Sequence, residues 1–150
     1  MTPMRGSVVS IAVAVSVAVA ATSCVREPPP PEPPVPTLPQ AVGLAGYGDA
    51  LSPAGFLVEE RGCVFLETGG GRRWAIIWPP GSTAAWTNQE LAILDADGHV
   101  FAVVGERVVL GGQRLQARYA AEHSRPDAMR LCGGASRYWL ASPEKPAAQP

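Results

Sequence analysis

The stretch LAILDADGHVFAVV (residues 91–104) decides the fold class of this chain. Two apolar runs, 91–95 and 99–104, flank Ala96-Asp97-Gly98. An Asp-Gly pair between apolar runs is a strong hairpin signal, because a tight turn requires positive φ at its central residues. The stretch therefore predicts a β-hairpin.

Short apolar runs separated by turn residues continue on both sides of this hairpin. A polar loop is predicted between residues 79 and 89, and the run 115–120 fits either a strand or a helix. Many short strands in about 90 residues favour a small barrel over a two-layer sandwich. We therefore predict an all-β barrel of six to eight short strands over residues 55–142. The other strands are expected at 56–60, 63–67, 73–79, 107–112 and 137–142.

The N-terminal segment, residues 1–23, is typical of an export signal. Arg5 precedes an uncharged apolar run, 7–21, which is too short to span a bilayer of roughly 30 Å. The run ends in ATSC (21–24), which resembles a bacterial lipobox with alanine where leucine is usual. We expect a lipid on Cys24 that holds the protein at the extracytoplasmic face of a cell-envelope membrane. Ordinary secretion and a retained signal anchor are the alternatives.

The segment after Cys24 is rich in proline. In PPPPEPPVPTLP (28–39), eight of the twelve residues are proline, which fixes φ and favours a polyproline II rod. We expect residues 24–40 to be a spacer, with a ligand for a proline-recognising domain as the alternative. Residues 41–54 are predicted to be a flexible lead-in, and residues 143–150 a disordered tail.

Four motifs carry a resemblance to a known family: GCVFL (62–66), IIWPPG (76–81), LDADGHVFAVVGERVVLGG (94–112) and LCGG…YWL (131–140). They resemble an uncharacterised family of small envelope lipoproteins from high-GC bacteria. The resemblance covers about 80 residues and implies a small β-barrel domain, with no activity attached to it. Residues 105–112 are also similar to a strand of OB-type barrels, which implies an OB-like topology.

The three cysteines have separate expected roles. With Cys24 carrying the lipid, Cys63 and Cys132 are the remaining pair in an oxidising compartment, and we predict a disulfide between them. A redox pair or half of a metal site is the weaker alternative. The spacing is not Cys-x-x-Cys, and a zinc site would need two more ligands from only two histidines.

Four motifs resemble catalytic or ligand-binding motifs, but each has a simpler structural explanation. GGGRR (69–73) lacks the Lys-Ser/Thr of a phosphate loop and precedes a strand, and DADG (95–98) lacks the downstream acidic ligand of a calcium loop. In EHSRPD (122–127) the serine, histidine and aspartate are sequence neighbours, whereas catalytic triads are assembled across a fold. Adjacent Glu59 and Glu60 point to opposite faces of a strand. We predict no catalytic residue, no metal site and no cofactor.

The tryptophans divide into core and surface candidates. Trp74 and Trp78 are four residues apart and share one face of a strand, so we expect them, with Trp139, in the core. Trp86 lies in the predicted polar loop, where an exposed aromatic side chain serves glycan stacking or contact with a partner protein. It is our candidate binding residue.

Composition restricts the function further. The formal net charge is −1, which is not the basic excess of a nucleic-acid binder. The expected function is that of a non-enzymatic envelope lipoprotein with a structural or ligand-binding role and an envelope protein or glycan as partner. The alternatives are a small extracytoplasmic hydrolase or glycan-processing accessory, and an inhibitor module.

Overall fold

The computed structural model describes residues 30–43, 46–132 and 135–144. The chain divides into two compact units after Pro31, and the fold below belongs to the second, Glu32–Pro150. The predicted signal peptide, the predicted lipidation residue Cys24 and residues 145–150 of the predicted tail lie outside the described residues. Of the helices in the described part of the chain, none has the length and apolar character needed to cross a membrane.

The described residues form ten strands and two short helices. The helices are α1 (Ala117–Glu122) and α2 (Pro126–Cys132). The strands are β1 (Ala50–Leu51), β2 (Gly55–Glu60), β3 (Cys63–Thr68), β4 (Arg72–Ile77), β5 (Thr83–Thr87), β6 (Glu90–Leu94), β7 (Val100–Val103), β8 (Arg107–Val108), β9 (Gly111–Leu115) and β10 (Tyr138–Ala141).

The strands build two sheets. One has seven strands in the order β1-β9-β10-β4-β3-β2-β8 and the other three in the order β5-β6-β7. The larger sheet curls into a half-barrel, and strands make up 45% of the structure against 11% for helices. The prediction of a small all-β barrel is confirmed. The strand number exceeds the prediction because β1 and β5 were not expected and the run 107–112 contributes to two strands.

The C-terminal strand β10 lies inside the larger sheet. It pairs antiparallel with β9 and parallel with β4. All four of its residues are buried, as are the last four of β4. Strands that are covered on both faces read as continuous apolar runs, which explains the sequences WAII and YWLA.

Each face of β4 and β10 belongs to a different apolar cluster. Trp74, Ile76 and Trp139 pack in the larger cluster with residues of the three-stranded sheet, such as Ile93 and Phe101. The opposite face packs in a second cluster with Ala120 of α1. The expectation that Trp74, Trp78 and Trp139 lie in the core is confirmed, since each is at most 8% exposed.

The Asp-Gly hairpin is confirmed. Residues 95–99 connect β6 to β7, the Asp95 amide donates to the His99 carbonyl, and Gly98 has a φ of 82°. The Asp95 carboxylate accepts hydrogen bonds from the amides of His99 and Asp97, both at 2.9 Å. These bonds, led by the one from His99, lower the pKa of Asp95. The side chain therefore caps the turn.

The structure decides between the two alternatives for residues 115–120: Leu115 ends β9, and the helix α1 begins at Ala117. Two other predictions about secondary structure need correction. Residues 83–87, predicted as loop, are β5. The predicted flexible lead-in contains β1, which pairs with β9, and the buried Ser52, whose hydroxyl accepts from the Leu110 amide.

Candidate functional site

The proline-rich segment is bound along the domain from residue 33 onward, and we call residues 33–42 the strap. The Thr37 amide donates to the Gly62 carbonyl at 2.8 Å. Near its end the strap pairs with Trp78 in both directions: the Trp78 amide donates to the Pro39 carbonyl at 2.7 Å, and the Ala41 amide to the Trp78 carbonyl at 2.9 Å. These bonds, with the Pro33 contact described below, correct the predicted spacer for residues 33–40, which are attached to the domain.

Apolar burial explains why the strap binds. Leu38 is 8% exposed and belongs to the larger cluster, and Pro39 is fully buried. Gln40 adds two bonds from one amide, since its Nε2 donates to the Ser82 carbonyl and its Oε1 accepts from the Gly81 amide. Burial of Leu38 and Pro39 stabilises the bound strap through the hydrophobic effect. The neighbouring Gln40 side chain adds no cost, because both ends of its amide are hydrogen-bonded.

A disulfide lies beneath the strap. Cys63 and Cys132 are joined, with their Cα atoms 5.5 Å apart, and both are buried. The bond connects the start of β3 to the end of α2. The Cys132 sulfur lies 3.6 Å from the Thr37 carbonyl oxygen. A disulfide sulfur has no hydrogen to donate, so we interpret this as a packing contact. The predicted Cys63–Cys132 pairing is therefore present, and it supports the surface on which the strap rests.

Trp86 lies on β5 and not in a loop. It pairs with Leu91 of β6, and its side chain is half-buried. Its indole Nε1 donates to the Pro33 carbonyl of the strap at 2.8 Å. The sequence prediction of substantial exposure is corrected by this contact. The prediction that Trp86 contributes to binding stays a prediction.

A cleft of about 520 Å³ opens beside this contact. Pro33, Pro34 and Val35 of the strap form one side. The domain contributes Trp86, Leu91, Val104, Gly62, Gln89 and the acidic residues Glu59 and Glu90. The cleft therefore has an aromatic and aliphatic lining with carboxylates, which suits a ligand with an apolar body and a polar or positively charged part.

The other candidate motifs are explained by structural contacts. Glycines 69–71 form the turn between β3 and β4. The Ser124 hydroxyl donates to the Ala120 carbonyl, and His123 stacks on Tyr119 with ring centroids 6.5 Å apart. These two side chains are therefore occupied locally and are not arranged as a nucleophile with its base.

The two adjacent glutamates also separate. Glu59 Oε1 accepts from the Gly62 amide at 2.7 Å, while Glu60 pairs with Arg73. Arg73 bonds in addition to Glu67 at 2.9 Å. Since the two carboxylates serve different partners, they do not form an acid–base pair. Oxygens of Asp95 and Asp97 and a ring nitrogen of His99 lie within 4.8 Å of one another in the exposed hairpin turn. The turn-capping bonds described above account for the Asp95 position.

The contact between Trp86 and the strap can be tested by replacing the indole. Trp86→Phe keeps an aromatic ring but removes the N–H donor to Pro33. We expect the free energy of unfolding to fall by about 1 kcal/mol, the usual contribution of one hydrogen bond. We also expect faster hydrogen exchange at the Thr37 amide, because the strap loses one attachment.

Tyr119→Phe is the matched control, since it removes a polar atom from an exposed aromatic ring on α1 and should change stability by less than about 0.5 kcal/mol. Denaturant unfolding and amide exchange of the three proteins provide the comparison. Unchanged stability and unchanged Thr37 exchange in Trp86→Phe would contradict the attachment.

Comparisons with protein-family models, with curated proteins and with solved structures give no match to this chain. The resemblance to envelope lipoproteins therefore stays a prediction.

Proposed function

We propose that this protein is a lipid-anchored component of the cell envelope that binds a partner through its extracytoplasmic domain and catalyses no reaction. The observation that carries the proposal is the Cys63–Cys132 disulfide. Disulfides persist in exported proteins and are rare in reducing compartments. A disulfide-closed domain after an apolar run and the sequence ATSC (21–24) is the order expected for an exported lipoprotein.

Attachment of the strap to the domain shortens the segment between the proposed lipid on Cys24 and the domain. Residues 25–32 separate Cys24 from the bound strap, and a proline-rich segment of this length reaches about 25 Å when extended. A spacer that continues to residue 40 would give a longer reach. We therefore propose that the domain is held close to the lipid surface. Such a position suits contact with a membrane-associated partner.

The cleft beside Trp86 supports the binding role. It combines a half-buried tryptophan, aliphatic side chains and two carboxylates. Ligand sites characteristically have an apolar lining with a few polar groups. The partner is an envelope protein or glycan, and Trp86 is the residue proposed to contact it.

The anchor is tested by Cys24→Ser. The substitution removes the thiol that would carry the lipid, so we expect complete loss of labelling by radioactive palmitate and release of the protein from the membrane fraction. Ser23→Ala is the matched control, because it keeps a small residue before the cysteine and should be labelled like the wild type. Equal labelling of wild type and Cys24→Ser would refute the proposal.

A further inference from the structure

The contact between Trp86 and the strap has the chemistry of polyproline recognition. The indole N–H donates to a backbone carbonyl of Pro33, and the neighbouring Pro34 lines the same cleft. Aromatic-lined grooves bind proline-rich segments because proline lacks an amide donor and leaves its carbonyls free to accept. Pro33, Pro34 and Pro36 have φ already fixed near the polyproline II value, so little conformational entropy is lost on binding.

The part of the strap that contacts Trp86 is held less firmly than its later part. Pro33 and Pro34 are exposed, and Val35 is 52% exposed. From Pro36 onward the strap is anchored by the burial of Pro36, Leu38 and Pro39. Residues 33–35 can therefore leave the domain side of this cleft, which we call the Trp86 groove, while Pro36, Leu38 and Pro39 stay buried. The exposed Thr37 then loses a neighbouring attachment, so its amide is expected to exchange faster.

Residues 33–35 offer no positive charge to the two carboxylates that line the cleft. Glu59 and Glu90 line the cleft, and the described residues that line it include no lysine, arginine or histidine. The strap itself follows Glu32, an acidic residue. A segment with lysine or arginine at this place would gain favourable electrostatic interactions, whereas the strap, which has no charged side chain of its own, gains none.

We propose that the Trp86 groove binds a proline-rich, basic segment of a partner protein, and that residues 33–35 occupy the groove only until this segment displaces them. The inference rests on the binding role proposed above and adds the chemical class of the ligand. The strap competes because its covalent attachment gives it a high effective concentration. The partner segment displaces residues 33–35 because its positive charge lies opposite Glu59 and Glu90.

Three synthetic peptides test the proposal on the purified full-length protein. The first, PPPPEPPVP, copies residues 28–36. The second, PPPPKPPVP, replaces the glutamate with lysine, and the third replaces every proline of the second with alanine. Binding is followed by the NMR signal of the Trp86 indole N–H, which is identified by its loss in Trp86→Phe. We expect the lysine peptide to bind at least about threefold more tightly than the glutamate peptide, with the difference reduced at high salt. The alanine peptide should not bind.

Two variants test whether the strap competes with the peptide and whether the peptide binds beside Glu90. Pro33→Gly with Pro34→Gly makes the exposed part of the strap flexible, so the lysine peptide should bind about tenfold more tightly than to wild type. Glu90→Gln should reduce the preference for lysine, whereas Glu122→Gln on α1 is the control that should not. Both glycine substitutions are at exposed positions, and unfolding curves verify that the domain is intact.

Several results would overturn the inference. Equal affinity for the lysine and glutamate peptides would indicate exchange of straps between copies of this chain and not a basic partner. Polyproline recognition would be excluded if the lysine peptide bound neither the wild type nor the glycine variant. It would also be excluded if the alanine peptide bound as tightly as the lysine peptide. These titrations do not depend on the lipid, so loss of palmitate labelling and loss of peptide binding are separate failures.

Discussion

Replacing Cys63 with alanine should lower the free energy of unfolding by about 4 kcal/mol. The disulfide joins residues 69 positions apart, and closing a loop of that length removes a corresponding amount of chain entropy from the unfolded state. A small domain has a total stability of only about 5–15 kcal/mol, so this is a large fraction of it. We also expect loosening of the strap, because Cys132 packs against the Thr37 carbonyl.

Urea unfolding followed by tryptophan fluorescence measures this loss. The wild type treated with a reductant is the matched control and should unfold close to Cys63→Ala, since both lack the cross-link. Two free thiols in the purified protein, or equal urea midpoints for wild type and variant, would contradict the account.

The second large effect is expected for Gly112→Ala. Gly112 pairs with Ala141 of β10 and has a φ of 138°, which an L side chain rarely adopts. A Cβ atom there would lie 1.9 Å from the Leu140 carbonyl oxygen, so β9 and β10 would have to separate. Because β10 is a central strand of the larger sheet, we expect a loss of about 3 kcal/mol or more.

Gly111→Ala provides the matched control. An added Cβ at Gly111 would meet the Ser142 Cβ at 3.4 Å, an ordinary contact, and Gly111 has no positive φ. We expect a change below about 1 kcal/mol at this position, measured by thermal unfolding of both variants. Similar melting temperatures for the two alanine variants would show that the close approach at Gly112 is not important for stability.

The larger features of the fold could be predicted because their signals are local. Asp97-Gly98 between two apolar runs specifies a hairpin wherever it occurs, and the spacing of Trp74 and Trp78 places both on one face of a strand. The disulfide could be predicted by elimination, since Cys24 was assigned to the lipid. None of these predictions required knowledge of the tertiary contacts.

The hairpin that contains Trp86 was missed because its turn has an unusual residue. Thr87 pairs with Glu90, so only Asn88 and Gln89 form the turn, and both have positive φ, 51° and 69°. A two-residue turn of this kind usually contains glycine. Glutamine at the second turn position does not indicate a hairpin, so the sequence predicts a polar loop over residues 79–89.

The strap could not be predicted because its contacts are long-range. Trp86 and Pro33 are 53 residues apart in sequence, and Cys132 and Thr37 are 95 apart. Proline content predicts a segment outside the helices and strands, and residues 30–39 lie outside them. Whether such a segment extends into solvent or lies on the domain depends on the few apolar side chains it carries, here Leu38 among the prolines. The position of the binding cleft depends on the same contacts.

Non-reducing peptide mapping by mass spectrometry, on protein from the membrane fraction of the cells that make it, tests the lipid anchor and the disulfide together. We expect the first peptide to begin at a lipid-modified Cys24, and the peptides with Cys63 and Cys132 to be joined. A protein that retains residues 1–23 with an unmodified Cys24, or that carries free thiols at Cys63 and Cys132, would contradict this expectation.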